Sequence, residues 1–298
     1  MLQQDVQATT PGRAGRVRDE SAPGIRKARR KGETERLYLK SVFSTLTGWN
    51  DPERRLVKAF DNDEFMLFGQ SIVPLDGAKA LPFCLEILIR LREEEQNLTP
   101  PGAFLPILEY FEMMPVLDRW VIQHTAEWWR AKNGVPNTVL NINLSPETLD
   151  GADFPDFVDQ QLQDHRLPAG AICFEVIGSE VAAGSEQAMK SIGALKAFGC
   201  RFAIAGFGRD SISFDALRTA GASVVKIDGG IVREIHRDPV ARAKVRSIQR
   251  VCAKAAVRTV AEFVEQAETL AALREIGVDY AQGYGISKPE PLAGTVPA

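Results

Sequence analysis

Polar side chains stand near the ends of five strand-like segments of this sequence, and their types can bind divalent cations and phosphate. The residues are Glu86, Asn143, Glu175, Lys226 with Asp228, and Glu262. A charge inside an apolar strand is unfavourable unless it is paired or bound to a metal. Five such strands with polar groups at the same end therefore predict a functional site. Carboxylate and amide oxygens with one lysine suit Mg²⁺ or Mn²⁺ and a phosphate-bearing substrate.

The segment 201–206 interrupts this series. Two-metal hydrolysis of a phosphodiester places the cations roughly 3.5–4 Å apart, and bridging carboxylates are needed to hold them. In strand order the bridging position falls between Glu175 and Lys226, where Ala205 and Gly206 offer no side-chain oxygen. The sequence therefore predicts a site that binds its ligand without turning it over.

Strands and helices alternate from about residue 64 onward. We expect strands at 66–73, 83–90, 138–144, 170–177, 201–206, 222–227, 258–263 and 278–281. The intervening segments have helical periodicity, with Gly199 and Gly277 expected to follow helices and Asp238 to open one. Alternation implies parallel strands, and eight of them favour an α/β fold of the closed TIM-type (β/α)8 kind. An open doubly wound sheet is the competitor, but no glycine-rich dinucleotide loop follows the first strand.

The composition is ordinary for a soluble globular protein: 298 residues, 45% hydrophobic and 25% charged, with a net charge of -3. No apolar run approaches the ~18 residues that span a membrane. The first residues lack the charged and apolar pattern of a signal peptide. We therefore expect a cytoplasmic protein without a membrane span.

Three regions follow from this composition. Residues 1–36 are polar and carry a basic cluster, so we expect a disordered basic tail. Residues 37–60 are expected to form a helical lead-in, and residues 61–298 the barrel domain. The basic cluster could bind nucleic acid or acidic lipid. A solvated tail explains it better, so we do not expect a nucleic-acid partner.

From about residue 55 onward the chain resembles the EAL domain, the bacterial cyclic di-GMP phosphodiesterase and receptor fold. The family's signature Glu-Ala-Leu corresponds to Glu86-Ile87-Leu88, followed by the expected Arg90. Other matching stretches occur in the family's order: Gln70-Ser71-Ile72, Asn143-Leu144-Ser145, Glu175, Lys226-Ile227-Asp228, Ala261-Glu262 with Glu265, and Gln282-Gly283-Tyr284. Each stretch is a weak signal alone, but the ordered set is highly specific.

The departures from the family pattern concern the metals. The family's Asp-Asp-Phe-Gly-Thr-Gly corresponds to residues 205–210, so Ala205 and Gly206 replace both metal-bridging aspartates. A second family glutamate corresponds to Gly178, and Asp210 is too displaced to compensate. The resemblance leaves only remnants of the metal ligands, namely Glu86, Asn143, Glu175 and Glu262. It likewise leaves only remnants of the catalytic residues, namely Glu86, Lys226 and Glu262. We expect no competent catalytic residue and no required cofactor, with Mg²⁺ or Mn²⁺ relevant only to residual activity.

The residues that line the nucleotide groove in family members are present. The resemblance assigns ligand binding to Gln70, Glu86, Ile87, Leu88, Arg90, Asn143, Asp228, Glu262 and Gln282. Arg90 is the first choice for phosphate, because a guanidinium can grip an oxyanion bidentately without a metal. The alternative for Arg90 is an ion pair with Glu86.

The expected function is a non-catalytic cyclic di-GMP receptor or adaptor that passes nucleotide binding to an unidentified protein partner. Two alternatives stay open. One is an interaction module that has also lost nucleotide binding, and the other is a residual phosphodiesterase that uses one metal. A homodimer also stays open. About sixty residues precede the barrel, which leaves either a stand-alone adaptor or a fragment of a longer protein.

Overall fold

Eight strands close into a barrel in the computed structural model, which describes residues 33–75, 82–93, 98–209 and 214–294. The strands are β1 (Phe65–Pro74), β2 (Phe83–Arg92), β3 (Leu98–Thr99), β4 (Thr138–Asn143), β5 (Ile172–Ile177), β6 (Arg201–Phe207), β7 (Val224–Ile227), β8 (Arg258–Ala261), β9 (Tyr280–Ala281) and β10 (Glu290–Pro291). The ring runs β1-β2-β4-β5-β6-β7-β8-β9 and closes on β1, while β3 and β10 pair outside it. The expected TIM-type barrel is confirmed.

Helices cover the outside of this ring. They are α1 (Glu33–Thr47), α2 (Pro52–Asp61), α3 (Pro101–Tyr110), α4 (Met114–Ala131), α5 (Pro146–Leu149), α6 (Phe154–Asp164), α7 (Gly178–Ala182), α8 (Glu186–Phe198), α9 (Phe214–Ala220), α10 (Gly229–Val232), α11 (Pro239–Lys254) and α12 (Ala267–Ile276). Gly199 and Gly277 end α8 and α12 in the left-handed region, with φ of 104° and 84°. The Asp238 side chain accepts from Val240 N at the start of α11. The expected helix boundaries at these three residues are confirmed.

The expectation of uniformly parallel strands is wrong for β1. This strand runs antiparallel to both β2 and β9. Only residues 75–82 connect β1 to β2, whereas a parallel crossover needs roughly a dozen residues or more. The short connection therefore forces a hairpin, and the other ring strands are mutually parallel.

The β1–β2 hairpin extends past the ring. β2 pairs with β4 only over Phe83–Ile87, whereas its pairing with β1 continues to Leu91. Several expected strands are shorter in the structure, and β8 ends at Ala261. Glu262 therefore begins the following loop. The far end of the hairpin becomes a wall beside the barrel mouth.

The core lies between the ring and the helices. Phe104, Phe154, Phe174 and Phe202 are its largest fully buried aromatic side chains. Of the expected tail, residues 1–32 lie outside the described residues, and residues 33–36 begin α1. Within the described part of the chain, no helix combines the length and apolarity that crossing a membrane requires.

Candidate functional site

An apolar layer inside the barrel supports the candidate site. Its interior side chains include Cys84, Val139, Cys173, Ala203, Val224 and Val260. Side chains two positions further along a strand point to the same face. The residues two positions after this layer are, strand by strand, Glu86, Asn141, Glu175, Ala205, Lys226 and Glu262. Strand alternation therefore produces a polar ring at the C-terminal mouth, with a gap at β6.

Lys226 lies at the centre of this ring and is 2% exposed. Its Nζ is 2.7 Å from Glu86 Oε2, 2.8 Å from Glu175 Oε2 and 3.3 Å from Glu262 Oε1. One ammonium therefore contacts carboxylates from three separate strand ends. Three carboxylates around one ammonium carry an excess of negative charge, which is unfavourable in a buried position.

Glu86 is the best-satisfied member of the ring. Asn143 Nδ2 donates to its Oε1 at 3.0 Å, and Gln282 Nε2 donates to its Oε2 at 2.5 Å. Gln282 Nε2 also lies 3.0 Å from Gln70 Oε1, and Gln70 Nε2 donates to Ser287 O at 2.9 Å. A chain of amide side chains thus connects Glu86 to the backbone beyond β9.

The carboxylates differ in how they hold protons. Burial raises the pKa of Glu175 to about 8 against the opposing effect of Lys226, and the neighbouring Glu86 adds to the rise. Burial also raises the pKa of Glu262. Burial would raise the pKa of Glu86 as well, but Lys226 and the amide donors lower it below its usual range. The surroundings therefore favour the ionised form of Glu86 and the protonated form of Glu175.

The two carboxyl oxygens of Glu175 differ in their contacts. Its Oε2 accepts from Lys226, and its buried Oε1 has no hydrogen-bond partner among the described residues. Burial disfavours the charged form of Lys226 and would lower its pKa, but the three carboxylates raise that pKa well above its usual range. Lys226 consequently remains an ammonium ion at every physiological pH.

The residues at the mouth do not fit a pair of metal ions. At the end of β6, Gly206 has a φ of 64°, and a Cβ built there would meet no atom within 4 Å. Gly206 thus leaves open space, and neither Ala205 nor Gly206 supplies a side-chain oxygen that could bridge two metal ions. Among the residues that the structure describes, no group of three or more His, Cys, Asp or Glu side chains is arranged to hold a metal ion. Asp210 lies outside the described residues.

A cleft of about 660 Å³ opens above the ring, between the β1–β2 hairpin and the loops after β8 and β9. Six expected ligand residues line it, namely Gln70, Glu86, Leu88, Arg90, Glu262 and Gln282. Ile87 instead places its side chain in the core, because alternation along β2 turns it away. Asn143 and Asp228 contribute no surface to the cleft. The cleft therefore lies on the hairpin side of the mouth.

The EAL domain family model matches residues 53–289 of this chain. The chain belongs to the EAL domain family. Its EAL domain is 35% identical over 245 residues to cyclic di-GMP phosphodiesterase PdeF of Escherichia coli (strain K12), covering 81% of this chain and 32% of PdeF. It is 32% identical over 240 residues to cyclic di-GMP phosphodiesterase PdeB of Shewanella oneidensis, covering 80% of this chain and 28% of PdeB. The chain spans about a third of the length of these curated relatives.

Solved structures show the same fold. The EAL domain of FimX from Pseudomonas aeruginosa, bound to c-di-GMP, superposes with a TM-score of 0.76 at 24% identity. The match covers 83% of this chain and 99% of that domain. At this level of identity the likeness establishes the architecture, and the roles of individual residues rest on the geometry at the barrel mouth.

Arg90 projects from the hairpin wall of the EAL domain. Its guanidinium lies 5.3 Å from the centre of the Phe68 ring, and NH1 donates to Ile89 O at 2.7 Å. Within the described part of the chain it forms no ion pair with Glu86, so that alternative is wrong. Glu86 is already engaged by Lys226. Arg90 therefore presents a cation to the cleft.

Asp228 is engaged by a residue that sequence reasoning missed. Arg209 places Nε 2.9 Å and NH2 2.7 Å from Asp228 Oδ2. The other oxygen of Asp228 accepts from Gly230 N at 2.9 Å and so caps α10. Arg209 follows the altered segment at β6, and nothing in the sequence identified its partner. Asp228 is thus occupied by internal contacts.

Sequence reasoning also missed the residue that fixes the loop after β4. Asp118 on α4 is buried, and its Oδ2 accepts from Ser145 N at 2.9 Å and Ser145 Oγ at 2.7 Å. Thr148 Oγ1 donates to the same oxygen at 2.6 Å. This network holds the turn that follows Asn143. The signal available in the sequence was an acidic residue within an apolar helical stripe.

Replacing Lys226 by Met is expected to lower the free energy of unfolding by about 3–5 kcal/mol, because it leaves buried carboxylates without their cation. Urea unfolding followed by circular dichroism measures this loss. Lys244→Met on the exposed face of α11 is the matched control and should change stability by less than about 0.5 kcal/mol. A similarly small effect for Lys226→Met would show that the cluster is not needed for the fold.

Stability is expected to fall as pH rises from about 5 to 8, because unfolding lets Glu175 ionise. The pKa of Glu175 in the folded protein, about 8, exceeds the usual 4.5. Its contribution to the free energy of unfolding is therefore fully present below pH 4.5 and is lost as the pH rises through 8. The maximum slope for one proton is about 1.4 kcal/mol per pH unit. Glu175→Gln should flatten this dependence, whereas Glu127→Gln on α4 should not. Equal slopes in all three proteins would contradict the assignment.

Proposed function

We propose that this EAL domain is a non-catalytic receptor for cyclic di-GMP that works as an adaptor in bacterial second-messenger signalling. The observation that carries the proposal is the division of the barrel mouth into two parts. The cleft side keeps charged and amide side chains on its surface. The β6 side offers no metal ligand, because Ala205 and Gly206 stand at its end.

The cleft suits a cyclic dinucleotide in size and chemistry. A volume of about 660 Å³ falls in the range of roughly 300–1,000 Å³ typical of small-molecule sites. Arg90 and Arg233 supply guanidinium groups for the phosphates. The ionised Glu86 and the amides of Gln70 and Gln282 can exchange hydrogen bonds with the edges of guanine. The named relatives PdeF and PdeB and the FimX EAL domain support cyclic di-GMP as the ligand.

The same geometry argues against hydrolysis of the nucleotide by this domain. Phosphodiester hydrolysis at a two-metal centre depends on cations that stabilise the attacking and leaving oxygens. Lys226 cannot act as a base for water, because its three carboxylate partners raise its pKa and keep it protonated. Ala205 and Gly206 supply no bridging oxygen for a metal pair, and Lys226 is held in its protonated form, which together support the non-catalytic proposal.

Two other functions follow from particular observations. The names of PdeF and PdeB favour a phosphodiesterase, which here would be residual and would use Mg²⁺ or Mn²⁺ at a single site. The Arg209–Asp228 ion pair favours an interaction module without nucleotide, because it engages one expected ligand residue. A receptor must also pass its state to a partner, either another protein or a second copy of this chain.

We predict that cyclic di-GMP binds in EDTA and is recovered intact after incubation with Mg²⁺ or Mn²⁺. Isothermal titration calorimetry measures binding, and chromatography of the recovered nucleotide detects cleavage to linear pGpG. Arg90→Ala should weaken binding by roughly 10- to 100-fold, the effect of losing charge-assisted hydrogen bonds. Arg246→Ala, an exposed arginine on α11, is the matched control.

Two other outcomes would each select one of the alternatives, and a third would reassign phosphate recognition within the receptor proposal. Cleavage to pGpG with added metal would establish a residual phosphodiesterase. Absence of binding with and without metal would leave the interaction module. Unchanged affinity in Arg90→Ala would move phosphate recognition to other cations of the cleft.

A further inference from the structure

Phe263 combines two unfavourable features at the edge of the cleft. It directly follows Glu262 and has a φ of 55°, in the left-handed region that bulky residues rarely adopt. Its side chain is also 51% exposed, although it is apolar. Backbone strain and exposed aromatic surface together at one binding site point to a function for the residue.

Close backbone packing holds this ring in place. A Cβ at Gly229 would lie 2.1 Å from Phe263 Cδ2, so only glycine there leaves room for the ring. Val264 N donates to Gln282 O at 2.9 Å, and Gly285 N donates to Val264 O at 3.0 Å. The loops after β8 and β9 are thereby joined, and the position of Phe263 does not depend on a ligand.

The surroundings of the ring suit a planar and polar ligand better than a protein surface. Phe263 and Tyr284 both line the cleft, and Tyr284 is 60% exposed. The Arg233 guanidinium lies 4.8 Å from the centre of the Phe263 ring and 3.5 Å from Glu265. Charged groups therefore border the aromatic surface, whereas protein docking sites are usually contiguous apolar patches.

We propose that Phe263 is the platform on which one guanine base of the cyclic dinucleotide stacks. The proposal rests on the proposed function and adds a recognition residue to it. A flat aromatic face binds a base through stacking, and a nearby arginine adds a cation–π contribution. Glu262, next along the chain, lines the same cleft and offers an acceptor for the edge of that base. This assignment explains why an exposed phenylalanine occupies a position that glycine would adopt without strain.

Replacing Phe263 by Gly distinguishes a role in base stacking from a role in the stability of the fold. Glycine adopts a positive φ freely, so the variant should unfold at the same or a higher temperature than the wild type. Its affinity for cyclic di-GMP in EDTA should fall roughly 10-fold or more, the effect of removing an aromatic ring that stacks on a base. A purely structural role predicts the reverse, with lower thermal stability and unchanged affinity.

Further variants keep the test decisive if Phe263→Gly fails to fold. Phe263→Trp retains an aromatic face and should bind at least as tightly as the wild type, whereas Phe263→Leu keeps apolar volume without a ring and should bind more weakly. Phe198→Ala, an exposed phenylalanine on α8, is the control for loss of an aromatic side chain elsewhere. Wild-type affinity in Phe263→Leu or Phe263→Gly would overturn stacking and leave the receptor function standing. If the wild-type protein itself binds no cyclic di-GMP, the proposed function fails, and stacking fails with it.

Discussion

The barrel mouth depends on a single buried ammonium ion that three carboxylates share. Lys226 contacts Glu86, Glu175 and Glu262 within 3.3 Å, and each comes from a different strand end. Taking these groups out of water is unfavourable unless their mutual geometry is favourable. The cluster meets this condition through the contacts of Lys226 with all three carboxylates and through the amide donors that Asn143 and Gln282 provide to Glu86. An internal cation thus neutralises charge that metal ions could otherwise neutralise.

This arrangement separates the cleft from the end of β6. The hairpin of β1 and β2 continues past the ring and gives the cleft a wall that carries Leu88 and Arg90. That wall requires nothing from β6, where the open space beside Gly206 lies. No residue of β6 is among those that line the cleft.

The sequence predicted the barrel and most of its polar ring because both follow from simple periodicities. Strand alternation with helices indicates a closed sheet, and a step of two residues carries side chains onto the interior layer. The direction of β1 was missed, because its apolar pattern is the same in parallel and antiparallel neighbours. The information lies instead in the short connection to β2, which is too short for a parallel crossover.

Contacts between distant loops were beyond sequence reasoning. Lys226 and Glu86 are 140 positions apart, and their 2.7 Å contact depends on ring closure. The engagement of Asp228 by Arg209 and the exposure of Phe263 depend on loop conformations that no periodicity encodes. Gly229, opposite Phe263, is informative only once the two loops are seen together. The local sequence pattern thus identified the strands and their polar ends, while tertiary packing determined which side chains line the cleft.

The most direct test of metal-independent binding is a crystal structure of the complex with cyclic di-GMP, grown in MnCl₂ and measured at the manganese absorption edge. We expect an intact nucleotide in the cleft beside Arg90, Lys226 Nζ between its three carboxylates, and no anomalous peak at the barrel mouth. A manganese peak between Glu86, Asn143 and Glu175, or density for a linear dinucleotide, would contradict the central claim.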